Sequence, residues 1–125
     1  MENVHFLGNK DHRVLPEYMA SMDVNIMCYR ISDDIWTIGI YPLKLHEYLA
    51  VGKPIVSARL PSVEEFSCLI DIADNDVEWE EKIDLALRGR GVGSVDLRRE
   101  IAAKNNWSNR VDRILRNLDR MAESI

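Results

Sequence analysis

The stretch YPLKLHEYLAVGKPIVS, residues 41–57, decides how the chain is read. It predicts a helix, a tight turn and a buried strand in immediate succession. Pro42 suits the first turn of a helix, where its missing N–H removes no hydrogen bond. Leu43, Leu45, Tyr48, Leu49 and Ala50 place apolar groups on much of the helix circumference, which predicts a mostly buried helix. Gly52 is the expected stop, because glycine accepts the left-handed conformation that comes after a last helical turn. Lys53-Pro54 forces extension, and the β-branched pair Ile55-Val56 reads as a central strand. Two charges interrupt this apolar unit near its start, Lys44 and Glu47. A cation in a first turn opposes the helix dipole, but a lysine beside free N–H groups can hold a phosphate.

Elements of alternating type extend outward on both sides. Upstream, Asn3–Leu7 reads as a short strand ended by Gly8. Residues 12–22 read as a helix with Pro16 in its first turn, and Val24–Tyr29 as a second strand. Residues 30–40 have no clear period and read as the longest loop. Downstream, Ile55–Ala58 is the third strand, and Ser62–Phe66 reads as a short helix with Ser62 as cap and Glu65 completing a capping box. Leu69–Ala73 is the fourth strand. A helix capped by Asp74 or Asp76 then runs to about Arg88, and Ser94 caps another to about Lys104. Gly89-Arg90-Gly91-Val92-Gly93 comes after a helix rather than a strand, so it reads as an inter-helix turn and not as a phosphate loop. The last helix, about residues 107–124, carries one apolar stripe through Val111, Ile114, Leu115, Leu118 and Met121. That stripe predicts docking on this domain or on a partner. Strands alternating with helices give an α/β domain built on a parallel sheet, whose ligands bind beyond the carboxyl ends of the strands.

Composition narrows the class. At 125 residues the chain is long enough for one domain with a core. A formal net charge of −5 argues against nucleic acid and anionic membrane as partners. No apolar run approaches the roughly 18 residues of a transmembrane span, and the amino terminus lacks the pattern of a signal peptide. Cys28 and Cys68 fall in apolar segments and read as buried, reduced thiols of a cytoplasmic protein. No His, Cys, Asp or Glu cluster has metal-ligand spacing, so no metal is expected. His5, His12 and His46 read as structural or surface histidines.

The run Pro42-Leu43-Lys44-Leu45, with Glu47-Tyr48-Leu49-Ala50, Gly52-Lys53-Pro54 and Ile55-Val56-Ser57, resembles a segment of known enzymes. It is similar to the donor-site segment of retaining, GT-B-fold glycosyltransferases of the glycogen-synthase and mannosyltransferase type (group 1, family 4). Gly8, Leu15-Pro16, Tyr18 and Asp23 match a second pattern of that family. The resemblance implies a Rossmann-like parallel sheet flanked by helices, as in the carboxy-terminal half of the GT-B fold, beginning inside that half. Residues 1–125 would form a single partial nucleotide-sugar-binding domain. The amino-terminal acceptor domain would lie outside the chain.

In such enzymes a glutamate at the place of Glu47 holds the ribose, and the amides at the helix start approach the diphosphate. The resemblance therefore implies donor-binding positions at Gly39, Pro42, Leu43, Lys44 and Glu47. The donor would be a UDP- or GDP-linked sugar, with no further cofactor, and the transfer hexosyltransferase-like. The family's Glu-x7-Glu motif places its first glutamate at Gly39, so the contact that residue makes with the transferred sugar is missing or supplied otherwise. Asp33 and Asp34 are the nearest substitutes. Turnover by the chain alone is not expected. The alternative is a degenerate α/β interaction module without catalysis. In the six-strand order 3-2-1-4-5-6 of the family, Asn3–Leu7 and Val24–Tyr29 would be third and fourth. Without the strands between them, either Asn3–Leu7 pairs directly beside Val24–Tyr29, or that strand keeps an open edge and a homo-oligomer is expected.

Overall fold

The structure, a computed structural model, describes residues 2–32 and 34–124. Helix α1 (Leu15–Ser21) leads to strand β1 (Asn25–Met27), then come helices α2 (Ile35–Gly39) and α3 (Leu43–Val51) and strand β2 (Ile55–Ala58). A 3-10 turn (Pro61–Phe66) precedes strand β3 (Asp71–Ala73), and then helices α4 (Asp76–Leu87), α5 (Val95–Lys104) and α6 (Trp107–Glu123) complete the chain. The three strands form one parallel sheet in the order β1-β2-β3. This is the α/β parallel sheet that the alternation of elements predicts, in the Rossmann-like form that the resemblance implies.

β2 is buried along its whole length, because it is the central strand and both sheet faces are covered. Its alternation sorts the core into two parts. Ile55 joins Met27, Leu45, Leu49, Leu60, Val63, Phe66, Leu69, Ile70 and Ile72 on the face under α3 and α5. Val56 joins Ala73 and Ala86, with Trp79 and Ile83 of α4, on the other. Gly52 ends α3 at φ 87°, and its N–H donates to the Tyr48 carbonyl. A Cβ there would sit 2.9 Å from Val95 Cγ1, so the glycine serves both the turn and the close approach of α5.

Several expectations change. Asn3–Leu7 forms no strand: Val4, Phe6 and Leu7 are exposed, and β1 pairs with β2 alone among the described residues. A ladder needs a neighbour at the right register, and this segment supplies none. The open-edge alternative is therefore the one observed. The 30–40 loop contains α2, started by the Asp34 carboxylate, which accepts the Thr37 N–H at 2.8 Å. α3 is buried on one stripe only, at Leu45 and Leu49, while Leu43 is 77% exposed and Ala50 is also exposed. Pro42 is the residue before α3 rather than its first. Ser62 does not cap the 3-10 turn; its hydroxyl donates to the Ile40 carbonyl at 2.7 Å and ties the turn to the segment before α3. Asn75, not either aspartate, caps α4, and its side-chain amide donates in turn to the Glu78 carboxylate. Cys28 and Cys68 are free thiols but lie at the surface, each outside a strand. The α6 stripe is half-exposed from Val111 to Met121, and no residue of α6 is buried.

The glycine-rich turn 89–93 has a packing role. Arg98 on α5 is buried to 3% exposure beneath it. Its guanidinium donates to the carbonyls of Leu69 (2.9 Å), Gly52 (3.0 Å), Gly93 (3.3 Å) and Val92. Gly93, at φ 78°, passes so close to the chain that a Cβ would lie 2.9 Å from Leu69 Cα. Replacing Arg98 by Met is expected to cost roughly 2–4 kcal/mol, since four carbonyls lose a charged donor in a buried place. Leu118→Ala on the open stripe is expected to cost about 0.5 kcal/mol or less. Chemical denaturation of the two variants checks both values; equal losses would contradict this ranking.

Candidate functional site

The rim beyond the carboxyl ends of the strands is built by the segment that leaves each strand. β1 runs into Cys28 and Tyr29, then through α2 to the start of α3. Lys44, in the first turn of α3, places its ammonium 5.1 Å from the centre of the Tyr29 ring. This cation–π contact replaces the helical ion pair that a surface lysine commonly makes, and it holds the charge at the rim. The start of α3 has no side-chain cap. By contrast, Asp34, Asn75, Ser94 and Asn106 cap α2, α4, α5 and α6 through their side chains. The N–H groups of Leu43 and Lys44 thus stand without side-chain acceptors beside a cation.

Glu47 lies one turn further along α3 and is exposed. Its carboxylate makes no hydrogen bond or ion pair among the described residues, unlike Asp34 or Asp74. It faces a groove of about 490 Å³ between α1 and α3. Leu15, Pro16 and Met19 form one apolar wall, Ala50 and Val51 the other, and His12 and Arg99 also line it. Arg99 is held there by donating to the Val51 carbonyl at 3.0 Å. An apolar slot with a free carboxylate in its lining suits a ring system carrying hydroxyl groups.

The other sequence candidates separate from this groove. Gly39 ends α2, and a Cβ on it would meet nothing within 4 Å. Asp34 is engaged as a helix cap. The N–H of Thr37, then hydroxyl bonds from Ser32 and Thr37, hold its carboxyl below the usual aspartate range. It is therefore not a free substitute for the missing glutamate. Asp33 lies outside the described residues. His46 points away from Glu47, as its place on the helix predicts. Its ring stacks on Tyr41 and meets Phe66 edge-on. Among the described residues no group of acidic, histidine and cysteine side chains is arranged to hold a metal ion. No helix of the described residues is long and apolar enough to cross a membrane.

Sequence reasoning missed the α1 wall of the groove, Arg98, and the pairing of His46 with Arg110. The apolar residues of α1 are legible as a helix face, but nothing local says that α3 is their neighbour.

A family model described as glycosyl transferases group 1 matches residues 1–89. The chain belongs to that family. It is a GT-B-type glycosyltransferase domain, as the Pro42–Ser57 run implies. Over 113 residues it is 30% identical to the putative teichuronic acid biosynthesis glycosyltransferase TuaH of Bacillus subtilis (strain 168). The match covers 86% of this chain and 28% of that relative, so the chain spans little more than a quarter of its length. No solved structure matches the chain.

The open space at Gly39 makes a direct prediction. Gly39→Glu is expected to fold normally, with a stability equal to the parent or higher by up to about 1 kcal/mol, because glycine is a poor helix residue. A thermal melt checks it. A loss above about 1 kcal/mol would mean that the position tolerates no side chain.

Proposed function

We propose that the chain is the donor-binding part of a hexosyltransferase that uses a UDP- or GDP-linked sugar. Glu47 carries the reading. It is a free carboxylate in the lining of an apolar groove, one turn beyond an uncapped helix start, within a run that resembles the family's donor segment. In this reading the Glu47 carboxylate accepts bonds from the ribose hydroxyls, and the nucleoside lies in the α1–α3 groove. The diphosphate meets the N–H groups of Leu43 and Lys44, beside Pro42, with the Lys44 ammonium adding positive charge. The sugar extends towards Gly39.

Transfer breaks the bond between the anomeric carbon and the diphosphate oxygen, which keeps the electron pair, while that carbon bonds to the acceptor's hydroxyl oxygen, whose proton leaves with the diphosphate. The groups at the start of α3 would stabilise this negative charge as it develops. The acceptor would be presented by an amino-terminal domain, so the isolated chain should bind without turning over. Exposed free thiols at Cys28 and Cys68 suit a reducing, cytoplasmic setting. The unpaired side of β1 is a surface on which a second copy could add. Gly39 in place of the first motif glutamate favours the second reading, an interaction module that has lost its chemistry.

Calorimetric titration with UDP and GDP separates the two. The donor reading expects weak binding of one diphosphate by the parent chain. Glu47→Ala should weaken it by about tenfold or more, the worth of one to two charged hydrogen bonds. The same variant should melt within a degree or two of the parent, because the side chain is exposed. Equal binding by parent and variant would remove Glu47 from the site. No binding of either diphosphate would favour the interaction module.

A further inference from the structure

α6 leaves the body after Asn105 and is weakly held. Its stripe is half-exposed, and it buries no residue. Among the described residues, one side-chain hydrogen bond joins α6 to anything before α5. The Arg110 guanidinium donates to Nε2 of His46, on α3, at 2.8 Å. The same guanidinium lies 5.8 Å from the centre of the Tyr41 ring and donates through Nε to the Asn105 carbonyl at 3.0 Å. His46 is fixed in turn. Its ring is stacked on Tyr41, with centroids 5.7 Å apart and planes 22° apart, and Phe66 of the 3-10 turn meets it edge-on. The Tyr41 hydroxyl lies 2.6 Å from Nε2, and Nδ1 is buried without a partner.

Nε2 faces two partners, the Arg110 guanidinium and the Tyr41 hydroxyl, and its role towards each depends on the tautomer. A guanidinium can only donate, so Nε2 must offer a lone pair. The Arg110 bond therefore requires the neutral tautomer with its hydrogen on Nδ1, a nitrogen that is buried without a partner. A second proton can go only to Nε2, the atom that faces Arg110. Its arrival removes the acceptor and sets two cations about 3 Å apart. The Tyr41 oxygen can accept the new N–H, so the protonated ring keeps a partner and has none to offer Arg110.

The charged and titratable groups around the ring are Arg110 on α6, Glu65 on the 3-10 turn and Tyr41. Arg113 lines the same cleft. Burial first, then Arg110, hold the imidazole below its ordinary value, while Glu65 acts in the opposite direction.

We propose that His46 is a proton-operated latch. Its neutral ring holds Arg110, and with it the first turns of α6, against the body, and its protonation lets α6 go. Release would open the cleft of about 640 Å³ that Phe66, Leu69 and Ile101 share with Trp107 and Ile114. The direction in pH comes from the base being harder to protonate when docked than when free. Docking is at full strength above the ordinary imidazole value of 6.5 and weakens as pH falls below it. One linked proton changes the docking equilibrium by at most about tenfold per pH unit. The latch does not depend on nucleotide binding.

Hydrogen exchange of the whole chain at pH 7.5 and 5.5, with rates normalised for intrinsic chemistry, tests it. Protection of the α6 amides from Arg110 to Arg116 should fall at the lower pH, by at most about tenfold. The amides of β2 should not change. His46→Phe keeps the ring packing but has no proton to gain, so its α6 protection should be independent of pH. Should that variant fold poorly, Arg110→Met provides the second arm, with low α6 protection at both pH values. In the parent chain the His46 imidazole, followed by NMR, should titrate below 6.5. Unchanged α6 protection between the two pH values would overturn the latch. So would the same fall in His46→Phe, or an imidazole that titrates at or above its ordinary value.

Discussion

Arg98 is the interaction on which the arrangement depends. A guanidinium at 3% exposure is costly to bury, and it is tolerated here because carbonyl oxygens surround it. Those carbonyls come from three places distant in sequence: Gly52 at the end of α3, Leu69 ahead of β3, and Val92 and Gly93 in the turn before α5. One side chain therefore joins the helix that carries Glu47 to the third strand and to the last layer of the domain. Asp71 completes the arrangement. Its buried carboxylate accepts the Val92 N–H at 2.9 Å and offsets the arginine charge. Burial still makes the guanidinium easier to deprotonate than a free one, but far too little to remove its charge near neutral pH.

The consequence reaches the candidate site through α3. This helix is pinned at its carboxyl end by Gly52, α5 and Arg98, and on its buried stripe by Leu45 and Leu49. Its other end is free of side-chain caps. A helix fixed at one end by packing can present unpaired N–H groups at the other without losing its direction. The packed end and the uncapped end thus lie at opposite ends of one nine-residue helix. α1 adds the wall that makes an exposed carboxylate part of the lining of a groove.

Much of this was legible in the sequence, and the reason is local chemistry. Pro42, Gly52 and Pro54 punctuate the central unit so strongly that helix, turn and strand could hardly fall elsewhere. Ser94 announced its helix for the same reason. What failed was whatever depended on a distant neighbour. Asn3–Leu7 has the residue types of a strand, but pairing is decided by a partner that the segment does not name. α2 went unread because Ile-Trp-Thr-Ile-Gly is too short and too apolar to show a period, while its cap Asp34 was read as a substitute for the missing glutamate. Arg98 was not singled out, since it stands in a charged helix between Leu97 and Arg99. The one signal was its spacing, three and four residues before Ile101 and Ala102, on the inward face. The α6 stripe shows the converse case, since a helix can be strongly amphipathic and still lie half in solvent. For the site, Glu47 and Lys44 were visible through the run that surrounds them. The groove was not, because it is made by two helices that the sequence keeps well apart.

The place where a nucleotide sits decides between a donor site and a bare scaffold. Amide chemical-shift mapping of the chain during titration with a nucleoside diphosphate locates it directly. Shifts should concentrate at the start of α3, around Glu47 and along the α1 wall from Leu15 to Ala20, with α6 and α4 unmoved. Shifts that gather on α6 or the open edge of β1 while α3 stays silent would contradict a donor site on α3.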